Sequence, residues 1–498
     1  MDIGLLLTLV KYGFCGLIAS FLGVLVLWFL RVDFADKLIT KFYGKFSRDE
    51  LKKFLLLAII FGFVIGVYWL LRPIKDGIFC KMSGSLNIPY AKMLSLVIVF
   101  PLVMIYSKLV DKFPRHRVFY ALCAIYGTLA LMFAYFFSSS TLGLANTEVI
   151  TLVGGKTDTQ HVLLLGRMIG WAWYIFIESF GSIIVALFWS FNADITSPDS
   201  AKKGYPIIGM GGQLGGVMGP LLIATQAKNL GAHTMAFIAG IWIFCIALMI
   251  KIFVTITPKE QLVGYQSAEE ANSPKVKKEE TGFTEGLKLM LSKPYLLGIF
   301  AVISLYEVVV TIFDFQLKSL SASKFASAGE LSAYLGEYGV WTNGIALVCM
   351  LLGINVIARK LGLTTALVLM PILVALGVGA LFLSSTLEPE IALTVAFWVM
   401  VLSKSINYAL NQPTKEQLYI PTTRDTKYKA KAWTEMFGSR SSKAAGSVVN
   451  VIKKYVTPDM FVIVSSLFSL GLIGIWIAVA FYLGKTHKKA VTENKVVC

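Results

Sequence analysis

Charge is scarce in this sequence. Asp, Glu, Lys and Arg make up 15% of 498 residues, too little to coat a soluble protein of that length. Histidine is scarcer still: there are four, all isolated, and His116 and His487 lie among basic loop residues. Six cysteines, at positions 15, 80, 123, 245, 349 and 498, show no metal-ligand spacing and no paired framework, so no metal site and no cofactor is expected. Most lie in or beside apolar runs, where Cys acts as a small hydrophobe. No nucleophile elbow, zincin motif or kinase set is present, so the chain does not read as an enzyme. The two-residue alternation of barrel strands is also missing. The first 30 residues lack a signal peptide's small-residue cleavage site: Arg31 and Asp33 follow the apolar run, which suits an uncleaved span better.

What is present is hydrophobicity. Apolar residues make up 56% of the chain, the mean hydropathy is +0.71, and stretches of membrane-spanning length follow one another from end to end. That is an all-α polytopic membrane protein. After the run at 4–30, twelve spans are expected near 52–74, 91–111, 116–138, 163–193, 204–226, 232–256, 295–318, 330–358, 362–384, 389–412, 430–454 and 460–484, with internal breaks at Pro73, Pro206 and Pro413. The polar segment 257–284 separates two sets of six. The division expected is an extra N-terminal helix at 1–35, a six-helix half at 36–256, a cytoplasmic linker at 257–284, a second half at 285–485 and a tail at 486–498. Short basic turns at 111–117 and 359–360 follow the second span of each half, in keeping with a major-facilitator-like repeat.

Net charge is +17, and most of that excess reads as topogenic. Basic clusters at 31–53, 111–117, 202–203, 359–360, 427–431 and 485–489 all fall on one side if the spans alternate. That side is the cytoplasm, with the amino end outside and the carboxyl end inside. The cations are scattered among spans, which argues against a nucleic-acid surface.

Charges at membrane depth carry the functional information, because each costs at least ~2.5–3.5 kcal/mol to insert. Lys75 ends the apolar run 54–71 in Leu71-Arg72-Pro73-Ile74-Lys75-Asp76, where Pro73 is expected to kink or end the helix. Arg72 there is read equally well as an interfacial snorkelling cation. Glu178 lies well inside its span. Asp314 and Lys318, four apart, can pair on one helix face that also holds Glu307. Lys404, Tyr408 and Asn411 recur at helical spacing, with Lys415 four further on. Ser439, Lys443, Gly446/Ser447 and Asn450 form a second stripe, with Arg440 three before Lys443. Cations with hydroxyls suit a polyanion, although small-residue helix packing explains Gly446 and Ser447. Gly209, Gly211, Gly212, Gly215, Gly216 and Gly219 crowd one apolar span without the Lys-Ser/Thr of a phosphate loop, which points to close helix approach.

These stretches resemble the ADP/ATP translocases of obligate intracellular bacteria and plastids. Leu71-Arg-Pro-Ile-Lys-Asp76 is similar to that family's first-span motif, and Glu178-Ser-Phe-Gly-Ser182 with Leu187-Phe-Trp-Ser-Phe-Asn192 to its fourth-span signature. Asp314-Phe-Gln-Leu-Lys318 resembles the seventh-span acid and lysine, where the family usually has Glu. Lys415-Glu416, Tyr419-Ile-Pro421, Lys429-Ala-Lys431-Ala and Arg440-Ser-Ser-Lys443-Ala-Ala-Gly446 resemble the tenth and eleventh. The likeness runs from about 50 to 485. One segment departs: the family's Lys-Tyr-Ala-Leu-Phe-Asp-Ala-Thr-Lys-Glu is Asn-Tyr-Ala-Leu-Asn-Gln-Pro-Thr-Lys-Glu here, at 407–416.

The resemblance implies a nucleotide antiporter of a bacterial inner membrane, exchanging external ATP for internal ADP by alternating access. Lys75, Lys443, Arg440, Lys404, Tyr408 and Asn411 would bind substrate, and Glu178, Asp314 and Lys318 would gate or couple. Tyr174, Trp341 or Tyr408 would stack on the base. Co-transport of phosphate or protons stays open, and a monomer in the lipid bilayer is expected. The alternatives are a proton-coupled importer of other nucleotides or another anion, and a non-transporting sensor or scaffold.

Overall fold

A computed structural model describes residues 46–139, 160–258, 283–351, 361–423 and 438–493, together with 262, 431, 433, 434 and 495–497. The expected N-terminal helix at 1–35, most of the 257–284 linker and the basic residues Arg359, Lys360, Lys427 and Lys429 lie outside them.

The described chain is helical. The long helices are α1 (Arg48–Met82), α2 (Ile88–Lys112), α3 (Arg115–Ser138) and α4 (Gln160–Asp194). A single stretch, Pro198–Ile256, is divided at Gly231 (φ 80°, ψ 157°) into α5 (198–230) and α6 (232–256). There follow α7 (Pro294–Lys324), α8 (Ala328–Leu351), α9 (Leu363–Ser384), α10 (Pro389–Ile406), α11 (Ser439–Val451) and α12 (Pro458–Thr492). They match the twelve expected core spans in order. Nine stretches among the described residues are long and apolar enough to cross a membrane, with α5 and α6 counted as one. A short amphipathic helix, Phe283–Ser292, precedes α7.

Helix starts follow local chemistry. The hydroxyls of Ser47, Ser197 and Thr457 accept from the amides of Glu50, Ser200 and Met460, and Pro198 and Pro458 sit where no amide partner exists. Pro294 and Pro389 begin α7 and α10 in the same way.

Two apolar cores form. One is built almost wholly from α1 to α6, the other from residues between Met290 and Leu483. The two halves meet through α5 against α8 and through α2 against α11. Those pairs exchange under a six-helix offset, as a repeat related by a pseudo-two-fold axis requires.

The expected glycine approach is between α1 and α5. A methyl on Gly211, Gly215 or Gly219 would overlap the carbonyl oxygen of Ala58, Gly62 or Gly66 respectively. Small residues four apart on both helices let the two backbones touch.

The prolines behave differently from expectation. α1 does not end at Pro73: the helix runs on to Met82 with Arg72 in helical geometry. Residues 73–80 are all buried, and packing on every side holds the turn that lacks one backbone hydrogen bond. Pro206 is likewise inside α5. At Pro413 the backbone does change. α10 passes into a π-helical turn, Asn407–Asn411, and then the helix Gln412–Leu418, with Pro413 in its first turn. The wider turn is one way to accommodate a residue that has no N–H and would crowd the carbonyl four residues back.

Candidate substrate cavity

Between the halves lies a cavity of about 200 Å³, lined from α1, α2, α4, α7, α10 and α11. Its walls carry seven cations (Arg72, Lys75, Lys92, Lys318, Lys404, Arg440 and Lys443) and three carboxylates (Glu178, Glu307 and Asp314). The lining therefore holds four more positive than negative groups. Tyr68, Ser95, Thr311 and Ser439 complete the polar wall.

The helical period explains how α7 contributes. Glu307, the adjacent pair Val310 and Thr311, Asp314 and Lys318 recur at steps of three or four, and all five line the cavity. Asp314 Oδ2 accepts from Lys318 Nζ at 2.8 Å and from Lys92 Nζ at 2.6 Å. Lys318 also reaches Asp76 Oδ2 at 2.8 Å. This buried chain of charges joins α1, α2 and α7 across the two halves. Lys81 Nζ donates to the carbonyls of Ala322 (3.3 Å) and Phe325 (2.5 Å), and Lys228 lies 3.6 Å from Glu330. These ties sit at the end of the bundle where α1 and α7 finish.

Lys75 Nζ donates to Glu178 Oε1 at 2.5 Å and stands 4.1 Å from the centre of the Tyr174 ring. Arg440 donates to Ser182 Oγ and approaches Glu178 Oε2 at 4.0 Å. Lys404 and Lys443 share Glu307 Oε2, each at 3.9 Å. That separation is too long for a direct hydrogen bond and leaves two cations with half a carboxylate each. On α11, Ser439, Arg440 and Lys443 line the cavity. Gly446 and Ser447 are buried, with Gly446 set against the α7 backbone at Val308. Small-residue packing is their role.

Of the side chains singled out from sequence, Lys75, Glu178, Asp314, Lys318, Lys404, Arg440 and Lys443 come together here. Tyr408 and Asn411 do not line the cavity. The stripe Lys404–Tyr408–Asn411 assumed 3.6 residues per turn, and the π turn at 407–411 changes the register just after Lys404. Asn411 is buried and donates its amide to Asn407 Oδ1 at 2.8 Å. The aromatic expectations also change. Tyr174 is fully buried against Phe79 and capped by Lys75, and Trp341 is buried against Trp398 at 5.4 Å. Tyr68 is the ring on the cavity wall.

Sequence reading passed over Lys92 and Asp76. Lys92 is a lone cation at the head of an apolar span, and Asp76 was overshadowed by Lys75. No group of His, Cys, Asp and Glu able to hold a metal occurs among the described residues.

The model of the TLC ATP/ADP transporter family matches residues 32–487. The "ADP,ATP carrier protein 4" of Rickettsia bellii (strain RML369-C) is 25% identical over 93% of this chain and 96% of that protein. The "ADP,ATP carrier protein 1" of Chlamydia muridarum (strain MoPn / Nigg) is 26% identical over 82% of this chain and 83% of its own. A chloroplastic "ADP,ATP carrier protein 2" of Arabidopsis thaliana is 27% identical over 90% and 76%. Among solved structures, a bacterial homologue of the iron transporter ferroportin in an inward-facing state superposes with a TM-score of 0.58 at 13% identity, covering 87% of this chain and 98% of that one. The nucleoside transporter NupG gives 0.55 at 14% identity, covering 86% and 98%. These two show the fold, the major-facilitator arrangement of two six-helix halves.

Proposed function

This chain belongs to the TLC ATP/ADP transporter family, and we propose that it is a multi-pass membrane antiporter that exchanges external ATP for internal ADP by alternating access. The observation that carries the reading is the surplus of cations in the cavity between the halves. At membrane depth, uncompensated positive charge is costly, and a polyphosphate supplies the missing negative charge in a setting that strengthens each contact. Lys75, Lys404, Arg440 and Lys443 attract the phosphates. Glu178, Asp314 and Lys318 hold the gates. Asn411, buried and bonded to Asn407, holds the α10 backbone rather than touching substrate.

The exchange follows from the ion pairs. Lys75 is bound to Glu178, and Lys318 and Lys92 to Asp314. Reorientation must break some of these pairs at low dielectric, which is slow unless an anion takes over the cations. Transport in one direction then requires a substrate to return in the other.

The orientation we infer has basic loops inside, the amino end outside and the carboxyl end in the cytoplasm of a bacterial inner membrane. The ties near Met82 and Lys324 then close the outer face, and the cavity faces inward. The two halves divide at the 257–284 linker, and the chain acts as a monomer.

The test is uptake of labelled ATP by proteoliposomes with and without ADP inside. Uptake that depends on internal ADP supports the antiporter. Uptake that ignores internal ADP and follows an imposed pH gradient would replace it with proton-coupled import. Competition by a panel of nucleotides sets the base preference.

A further inference from the structure

The cations of the cavity are not equivalent. Lys75, Lys92, Lys318, Lys404, Arg440 and Lys443 each have a carboxylate within 4.0 Å. Arg72 is the exception among the described residues. Its guanidinium lies 5.0 Å from the centre of the Trp69 ring, one turn earlier on α1. The phenol rings of Tyr68, Tyr338 and Tyr408 and the Asp314 carboxylate are its electrostatic neighbours, but Asp314 is already engaged by two lysines. Arg72 lines the main cavity and also a smaller void beside it, bounded by Trp69, Asp76 and Tyr338.

A guanidinium half withdrawn from water with no carboxylate in contact is incompletely compensated, because a ring face, neutral phenols and a shared, more distant carboxylate offset only part of the desolvation. Its charge cannot be shed, since Arg stays protonated in proteins. The planar fork donates two parallel hydrogen bonds to a phosphate, which Lys cannot do. The paired lysines must first give up a carboxylate to take a ligand, whereas Arg72 is already available.

Resting on the nucleotide reading above, we infer that Arg72 receives the outermost phosphoryl group of the substrate and so sets the preference for nucleoside di- and triphosphates over monophosphates. Lys75, one turn along the same face, and the loosely held Lys404 and Lys443 take the phosphates nearer the sugar. Substrates are sorted by whether their phosphate chain reaches Arg72.

The experiment measures exchange of labelled ATP, with competition by unlabelled ATP, ADP and AMP, in wild type, R72Q and R72K. In R72Q the KM for ATP should rise about tenfold to a hundredfold, and the advantage of ATP and ADP over AMP as competitors should shrink by a similar factor. R72K keeps the charge but loses the fork, and should fall between the two. Should R72Q fail to insert, R72K alone carries the comparison. Wild-type KM and wild-type nucleotide ranking in the inserted variant overturn the assignment of Arg72. Absence of nucleotide exchange in the wild type would instead overturn the transport reading itself.

Discussion

At the scale of single residues, the cavity separates charges that attract from charges that restrain. Lys75 and Lys443 are on opposite halves and both line it. Lys75→Ala and Lys443→Ala should each abolish labelled nucleotide uptake while leaving membrane insertion intact, as read by uptake and by quantity in the membrane fraction. Normal uptake by both would remove these residues from the binding role. Asp314 is different, because two buried lysines depend on it. Asp314→Asn leaves Lys92 without its partner and Lys318 with Asp76 alone, and breaking a buried pair on one side costs about 3–5 kcal/mol. A lowered melting temperature in detergent, accompanied by loss of transport, is the expected result. Stability equal to wild type would mean that the chain of charges contributes nothing to this state.

At the scale of elements, two places depend on backbone fit. The contact of α1 with α5 has room for hydrogen atoms only at Gly211, Gly215 and Gly219. Gly215→Val should force the helices apart, with overpacking of about 1–3 kcal/mol or more, seen as a lower melting temperature and poor recovery from membranes. Gly209→Ala on the same helix meets no atom within 4 Å and should be silent in that measurement. The second place is the end of α10. Its π turn separates Lys404, which faces the cavity, from Asn411, which bonds Asn407. A stripe that looks continuous in the sequence is broken there, because periodicity assumes one helix type throughout.

At the scale of the molecule, alternating access requires the two halves to part where they now touch. The Lys92–Asp314–Lys318–Asp76 chain spans that boundary. Lys92→Asp alone should loosen this contact, which the orientation proposed above places toward the outside. A cysteine at Ser95, buried on the cavity wall, should then react faster with an impermeant thiol reagent added outside, in a background with the six native cysteines replaced. Combining Lys92→Asp with Asp314→Lys re-forms the α2–α7 pair but sets a second cation against Lys318, so labelling should slow part of the way back, if the contact acts by charge. Equal labelling in the wild-type, single and double backgrounds would exclude the contact as a gate.

The sequence by itself determined the class of this protein and its order of spans. Twenty-residue apolar runs have one outcome in lipid, since each backbone group must be satisfied within its own helix. It also exposed the intramembrane charges, because such residues are too costly to be incidental. Lys75, Glu178, Asp314, Lys318, Lys404, Arg440 and Lys443 were all legible on that ground. Partnership was another matter. That Lys92 on α2 meets Asp314 on α7, 222 positions later, and that Arg72, of the described cavity cations, has no carboxylate within 4.0 Å, were decided by how the helices pack. The reason is physical: local spacing sets the face of a helix on which a side chain stands, but only the approach of other helices sets what that face meets.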